Sequence, residues 1–118
     1  MVSRGSSNVK RTLYVTATAY TSFCKEGCIG KTSLGIDVSK DITYNGMRII
    51  AADRAIIKPK SIVRVYTRDE TFIAYVADTG SAIVGNKIDV LVSVRNEKVA
   101  FDFGKQKNVK VEILREGE

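Results

Sequence analysis

The chain has 118 residues, 44% of them hydrophobic, and a formal charge of +6. That length supports one globular domain whose core needs no staples. With no histidine and only two cysteines, a Ser/His or Cys/His nucleophilic pair and any imidazole metal site are excluded within one chain. Acid and base work falls to carboxylates, lysine or tyrosine. No apolar run approaches the roughly 20 residues that span a bilayer, and Met1 to Lys10 has no signal-peptide core, so the chain reads as leaderless with no membrane span. The positive charge favours anionic partners. Its cations are scattered and do not alternate with aromatic residues, which argues against nucleic acid.

In chain order, residues 1–11 are polar with Gly and Ser and read as a disordered leader or linker remnant, leaving 12–118 as the domain. Leu13, Val15, Ala17 and Ala19 alternate with Tyr14, Thr16, Thr18 and Tyr20, the period of a first strand. Ser22 to Gly46 lacks periodicity and is predicted to be a long loop over the site. It carries Cys24 and Cys28, which form either a disulfide closing a short loop, if the protein works in an oxidising compartment, or two unpaired thiols.

Further strands are predicted at Arg48–Ala52, Ile62–Thr67, Thr71–Ala77, Ile88–Val92 and Val109–Leu114. Arg68-Asp69-Glu70 reads as a hairpin turn, and Lys58-Pro59-Lys60-Ser61 breaks the chain before Ile62. Ser93 is the predicted N-cap of a short helix carrying Val94, Val99, Ala100 and Phe103, with Gly104 as its stop. Six short strands and one helix point to a small, mainly β barrel.

Three aspartates fall at predicted strand ends. Asp53 follows Arg48-Ile49-Ile50-Ala51-Ala52, while Asp78 and Asp89, with ten residues between them, bracket a loop containing Gly80 and Gly85. A carboxylate site follows, suited to acid/base chemistry if its surroundings raise one pKa. Asp78-Thr79-Gly80 also resembles the active-site turn of dimeric aspartic proteases, but too little chain follows it for the rest of such a fold.

The segment from Ala77-Asp78-Thr79-Gly80-Ser81-Ala82-Ile83 through Gly85-Asn86-Lys87-Ile88-Asp89-Val90 closely resembles the signature of the 3D domain, named for three aspartates. That family is similar to the catalytic barrel of MltA-type lytic transglycosylases. Thr18-Ala19-Tyr20-Thr21 is similar to its opening strand, Cys24 to Cys28 with Thr32-Ser33-Leu34-Gly35 to its cysteine loop and following turn, and Ile50-Ala51-Ala52-Asp53 to the segment of its first aspartate. After Asp53 the family's proline and glycine turn is replaced by Arg54-Ala55-Ile56-Ile57-Lys58-Pro59-Lys60-Ser61, and the cysteines stand one residue further apart. Without the glycine, a positive φ is costly there, so another backbone path is predicted.

The resemblance implies a six-stranded double-psi β-barrel with one short helix and a groove for peptidoglycan glycan strands. It implies cleavage of the MurNAc-GlcNAc β-1,4 bond with 1,6-anhydro ends, Asp89 serving as general acid and then base. Asp78 would raise the Asp89 pKa by like-charge repulsion, and Asp53 would stabilise charge at the sugar carbon. Thr18, Tyr20, Thr32, Gly80 and Lys87 are the candidate substrate-binding residues. The expected site is metal-free and without cofactor, a hard cation held by three carboxylates being the alternative. Anionic wall polymers are secondary partners, the protein is expected as a monomer, and its place is the cell wall, reached by secretion or from a phage. The rival reading is a non-catalytic, expansin-like wall-binding module.

Overall fold

In the computed structural model, which describes residues 9–23, 30–79 and 83–117, the alternating segments pair into a closed barrel. Its strands are β1 (Arg11–Thr21), β3 (Met47–Ala52), β4 (Ile62–Tyr66), β5 (Thr71–Asp78), β6 (Lys87–Ser93) and β7 (Gln106–Arg115). The two-residue β2 (Thr43–Tyr44) is appended to β3, and one helix, α1 (Glu97–Phe103), follows β6. Around the barrel the order is β3, β5, β4, β7, β1, β6 and back to β3. β1 runs parallel to β6 and β3 parallel to β5, while the other barrel neighbours are antiparallel. Parallel neighbours need crossover connections, and the two parallel pairs are those of a double-psi barrel. Among the described residues the architecture is the mainly β, six-stranded barrel with one short helix that the sequence predicts. Among the described residues no helix is long and apolar enough to cross a membrane.

Alternation sorts each strand into two faces. Val15, Ala17, Ile50, Ala52, Val63, Val65, Ala74, Val76, Ile88, Val90, Val109, Val111 and Ile113 fill the barrel interior, joined by Ile57 from the connection after β3. A second, smaller core lies on the outer face. There Val38, from the segment before β2, packs on Ile49, Ala77 and Leu91, flanked by Tyr20, Ile36, Ile42, Tyr44 and Tyr75. The predicted long loop is therefore a packed layer for residues 30–42, and its C-terminal end is a hairpin. Asn45 and Gly46, with φ of 52° and 80°, turn β2 into β3, which is the Asn-Gly signal of a tight hairpin.

Two local expectations are corrected. The helix N-cap is Asn96, whose side chain accepts the Lys98 N–H, while Ser93 still lies in β6 and its Oγ accepts the Asn96 N–H at 3.0 Å. Gly104 ends the helix as predicted, its N–H reaching the Ala100 carbonyl. The turn before β4 does take a positive φ without glycine: Lys60 sits at 73°. Its N–H donates to Val76 O at 2.7 Å, and Val76 N–H donates to Ser61 O at 3.0 Å. This pair of bonds to β5 offsets the roughly 1–2 kcal/mol that the left-handed conformation costs a side-chain-bearing residue.

Ile50 is fully buried and is paired with Val76 of β5 on one side and Val90 of β6 on the other. Ile50→Ala should lower the unfolding free energy by about 3 kcal/mol, measured by urea denaturation. A loss under about 1 kcal/mol would mean that the barrel does not close through β3.

Candidate active site

Four cross-strand partners form one row. Thr18 of β1 pairs with Asp89 of β6, Asp89 with Ala51 of β3, and Ala51 with Asp78 of β5. Because Ile50 and Ala52 point inward, Ala51 and its partners belong to the outer face. Strict alternation along β5 would send Asp78 inward after Val76 and Ala77. The register shift between Ile50 and Ala51 prevents this, since Ile50 pairs with Val76 but Ala51 pairs with Asp78. A bulge of this kind re-aims a side chain, and here Ala77 packs in the outer core while Asp78 joins the row. Ala51 is the residue of β3 that stands between Asp78 and Asp89 in this row.

Hydrogen bonds fix the carboxylates. Thr18 Oγ1 donates to Asp89 Oδ1 at 3.0 Å, and Tyr20 Oη donates to Asp78 Oδ2 at 3.4 Å. The other oxygen of Asp78 accepts the Ser33 N–H at 2.9 Å and its neighbour Thr79 N–H at 3.0 Å. Ser33 Oγ in turn accepts the Thr79 N–H at 2.9 Å, so the packed layer before β2 grips the chain where it leaves β5. Thr18 and Tyr20, expected to bind substrate, have their hydroxyls directed at the aspartates.

Electrostatics separate the acids. Burial pushes the Asp89 carboxyl above the ordinary aspartate range, with the charge of Asp78 adding to the rise, while the Thr18 hydrogen bond and the nearby Lys87 ammonium oppose it. Desolvation is the leading cause and like-charge repulsion a lesser one, which reverses the emphasis of the sequence argument. Tyr20 is raised far above its usual value by burial and by the charges of Asp78 and Asp89. It therefore stays a phenol and a donor at any working pH.

Asp53 behaves differently. Its Oδ2 accepts the Gly85 N–H at 2.7 Å and its Oδ1 the Ala55 N–H at 2.9 Å, and these two amides hold its pKa below the ordinary value. Among the described residues it makes no hydrogen bond to Thr18, Tyr20, Asp78 or Asp89. It ties the end of β3 to the segment that leads into Lys87 and Asp89. Thr32 is buried and spends its Oγ1 on the Ile36 N–H within its own turn. Gly80, Cys24 and Cys28 lie outside the described residues, as do residues 1–8 of the expected leader. Among the described residues no three His, Cys, Asp or Glu side chains are grouped to hold a metal ion.

Sequence reasoning passes over two residues that the geometry brings in. Ser33 had a signal, its place in a Thr-Ser-Leu-Gly turn. Ala51 had none, because its importance comes only from standing between Asp78 and Asp89 in a three-strand register.

The model of the 3D domain matches residues 48–115. The chain is 48% identical over 97 residues to the SPbeta prophage-derived protein YorM of Bacillus subtilis (strain 168), covering 82% of this chain and 40% of YorM. It is 39% identical over 109 residues to the cell wall-binding protein YocH of the same organism, covering 92% of this chain and 34% of YocH. The chain thus spans well under half the length of these relatives. Among solved structures, Escherichia coli MltA with bound chitohexaose superposes with a TM-score of 0.57 at 18% identity, covering 75% of this chain and 28% of MltA. The Streptomyces papain inhibitor gives 0.58 at 18% identity, covering 91% and 97%. At that identity both show a shared barrel and nothing more. With the family model spanning more than half of its length, including the row from Ala51 to Asp89, the chain belongs to the 3D domain family.

Proposed function

We propose that the chain is a peptidoglycan lytic transglycosylase that cleaves the β-1,4 bond between MurNAc and GlcNAc. One observation carries this reading: burial raises Asp89 on the outer face of the barrel, whereas the amides around Asp53 lower that carboxyl. A raised carboxyl keeps the proton that a leaving oxygen needs. The protonated Asp89 gives its proton to the glycosidic oxygen as the bond to the anomeric carbon breaks. The muramyl 6-hydroxyl then attacks that carbon and returns its proton to the Asp89 carboxylate. The products are a 1,6-anhydro end and a free 4-hydroxyl, and no water is consumed. A nucleophile already within the substrate removes the need to recruit a second one.

The other residues take supporting roles in this reading. Thr18 orients the Asp89 carboxyl, and Tyr20 and Ser33 hold Asp78 where its charge adds to the rise of Asp89 and offsets developing positive charge on the sugar. Asp53 acts through the backbone, fixing Gly85 and so the entry to β6. Lys87 binds the glycan, and the site takes no metal or cofactor. The relatives' names, one wall-binding and one of prophage origin, support a wall-directed location. The name of YocH also favours a second reading, a module that grips the wall without cutting it.

The deciding experiment incubates the protein with purified peptidoglycan and identifies released fragments by mass spectrometry. Anhydro-muramyl ends are expected, and Asp89→Asn should reduce their rate by at least about 10³-fold. Reducing ends would mean hydrolysis instead, and intact glycan with bound protein would favour the binding module.

Asp89 also makes stability depend on pH with a definite sign. Its folded pKa is raised above the ordinary 3.8, so its contribution is fully favourable below that value and is lost as pH rises through the folded pKa. Asp89→Asn should therefore melt higher than the parent at pH 7, with the gap closing below about pH 3.8. Equal melting temperatures at both pH values would refute a buried, raised carboxyl. Thr18→Val, which removes a bond that lowers Asp89, should move the alkaline limb of the pH–rate profile upward. A limb that stays in place would detach Thr18 from the acid.

A further inference from the structure

The face carrying Asp78 and Asp89 leaves most of the chain's positive charge unused. A cleft of about 410 Å³ lies between the β4–β5 turn and the start of β7, lined by Arg68, Lys105, Gln106, Lys107 and Asn108 with Tyr66 at its side. On the β5 side it is at the other end from Asp78, while on the β7 side its Gln106 is the cross-strand partner of Ala17, next to Thr18. Tyr66 pairs with Thr71, and the seven steps from Thr71 to Asp78 extend about 23 Å. Among the described residues no acidic side chain lines it.

The cleft is built rather than incidental. Gln106 is buried, and its side chain staples both walls: Oε1 accepts the Arg68 N–H at 2.8 Å, and Nε2 donates to Phe103 O at 3.1 Å. With Gln106 turned inward, strand alternation turns its neighbours Lys105 and Lys107 outward together, and both are exposed. Among the described residues neither lysine has a carboxylate partner. Arg68 meets Asp69 only in an exposed pair with side chains 58% and 74% accessible, which holds it weakly. Lys110, paired with Glu112 at 3.7 Å, lies over the Tyr66 ring at 5.2 Å, covering that ring.

We propose that this cleft binds a flexible phosphodiester polymer without aromatic bases, of the polyol phosphate class. Three cations on a stapled frame match a chain of fixed negative charges, and the Arg68 fork suits the paired anionic oxygens of a phosphodiester. Nucleic acid fits less well. Single strands are held by bases stacking on aromatic rings, and the one ring at this cleft is occupied by Lys110. This binding goes beyond the lytic reading and does not depend on Asp89.

The test is fluorescence anisotropy with labelled poly(glycerol phosphate) at about 0.1 M salt, where long-range attraction between exposed charges is largely screened. Lys105→Glu with Lys107→Glu should weaken binding by about tenfold or more. The charge-matched control, Lys40→Glu with Lys58→Glu, should bind as the parent does. Should the first pair fail to fold, Lys105→Gln with Lys107→Gln should weaken binding in the same direction. Asp89→Asn protein should bind the polymer normally, and the cleft variants should cut polymer-free peptidoglycan normally, so a failure here is distinct from a failure of the lytic assignment. Equal losses in cleft and control variants would overturn the proposal. Equal or tighter binding of single-stranded DNA or of poly-γ-glutamate of matched charge would do the same.

Discussion

Everything in this barrel depends on β3 being paired on both sides and buried on both faces. Ile50 joins Val76 and Val90, and Ala51 joins Asp78 and Asp89. Ile49, Ile50, Ala51 and Ala52 are all buried, so the segment reads as a continuous apolar run rather than an alternating one. A one-residue slip of β3 would send Ile50 outward and Ala51 inward. It would expose a core isoleucine and put a larger side chain between the two aspartates. The register that stabilises the barrel is the same one that spaces the carboxylates, so fold and site cannot vary independently at this strand.

The second core explains why a carboxyl on the outside of a barrel is raised at all. An exposed strand face would leave Asp89 hydrated and close to its ordinary value. The layer formed by residues 30–42 covers Ile49, Ala77 and Leu91 through Val38, and Ser33 at its edge hydrogen-bonds Asp78 and Thr79. Removing water from this side raises Asp89 and keeps Tyr20 protonated. The Tyr20 phenol is then an obligate donor, which fixes Asp78 as the acceptor. Two carboxylates one strand apart thus have different surroundings, burial raising Asp89 and hydrogen bonds from Tyr20, Ser33 and Thr79 holding Asp78.

The strands and the acidic loop were legible in the sequence because each rests on a local signal: period-2 alternation for β1 and β4 to β7, and the Asp78 to Asp89 segment for the site. What was not legible depends on pairing between distant segments. Ala51 gains its place from β5 and β6 at once, and Asp78 faces outward only because a bulge lets Ala77 be skipped. Thr18 and Tyr20 look like an outward strand face in isolation, and only the parallel register with β6 directs them at the aspartates. The helix cap moved from Ser93 to Asn96 because β6 continues to Ser93 to pair with Thr21, tertiary pairing overriding a residue that would cap well. Lys60 shows the same override on the backbone. Its left-handed turn survives without glycine because β5 supplies the hydrogen bonds that hold it.

The placement of the site on the outer face follows from barrel size. An eight-stranded barrel has an interior just wide enough for side chains to fill, and six strands leave less. The interior here is taken by valine, isoleucine and alanine, so a carboxylate inside would have neither water nor a ligand beside it and would destabilise the fold. Chemistry must therefore sit outside, where loops supply walls and one strand register supplies the acids. On that outer face Thr18, Asp78 and Asp89 are half-buried, and this partial burial raises the Asp89 carboxyl without sealing it into the core.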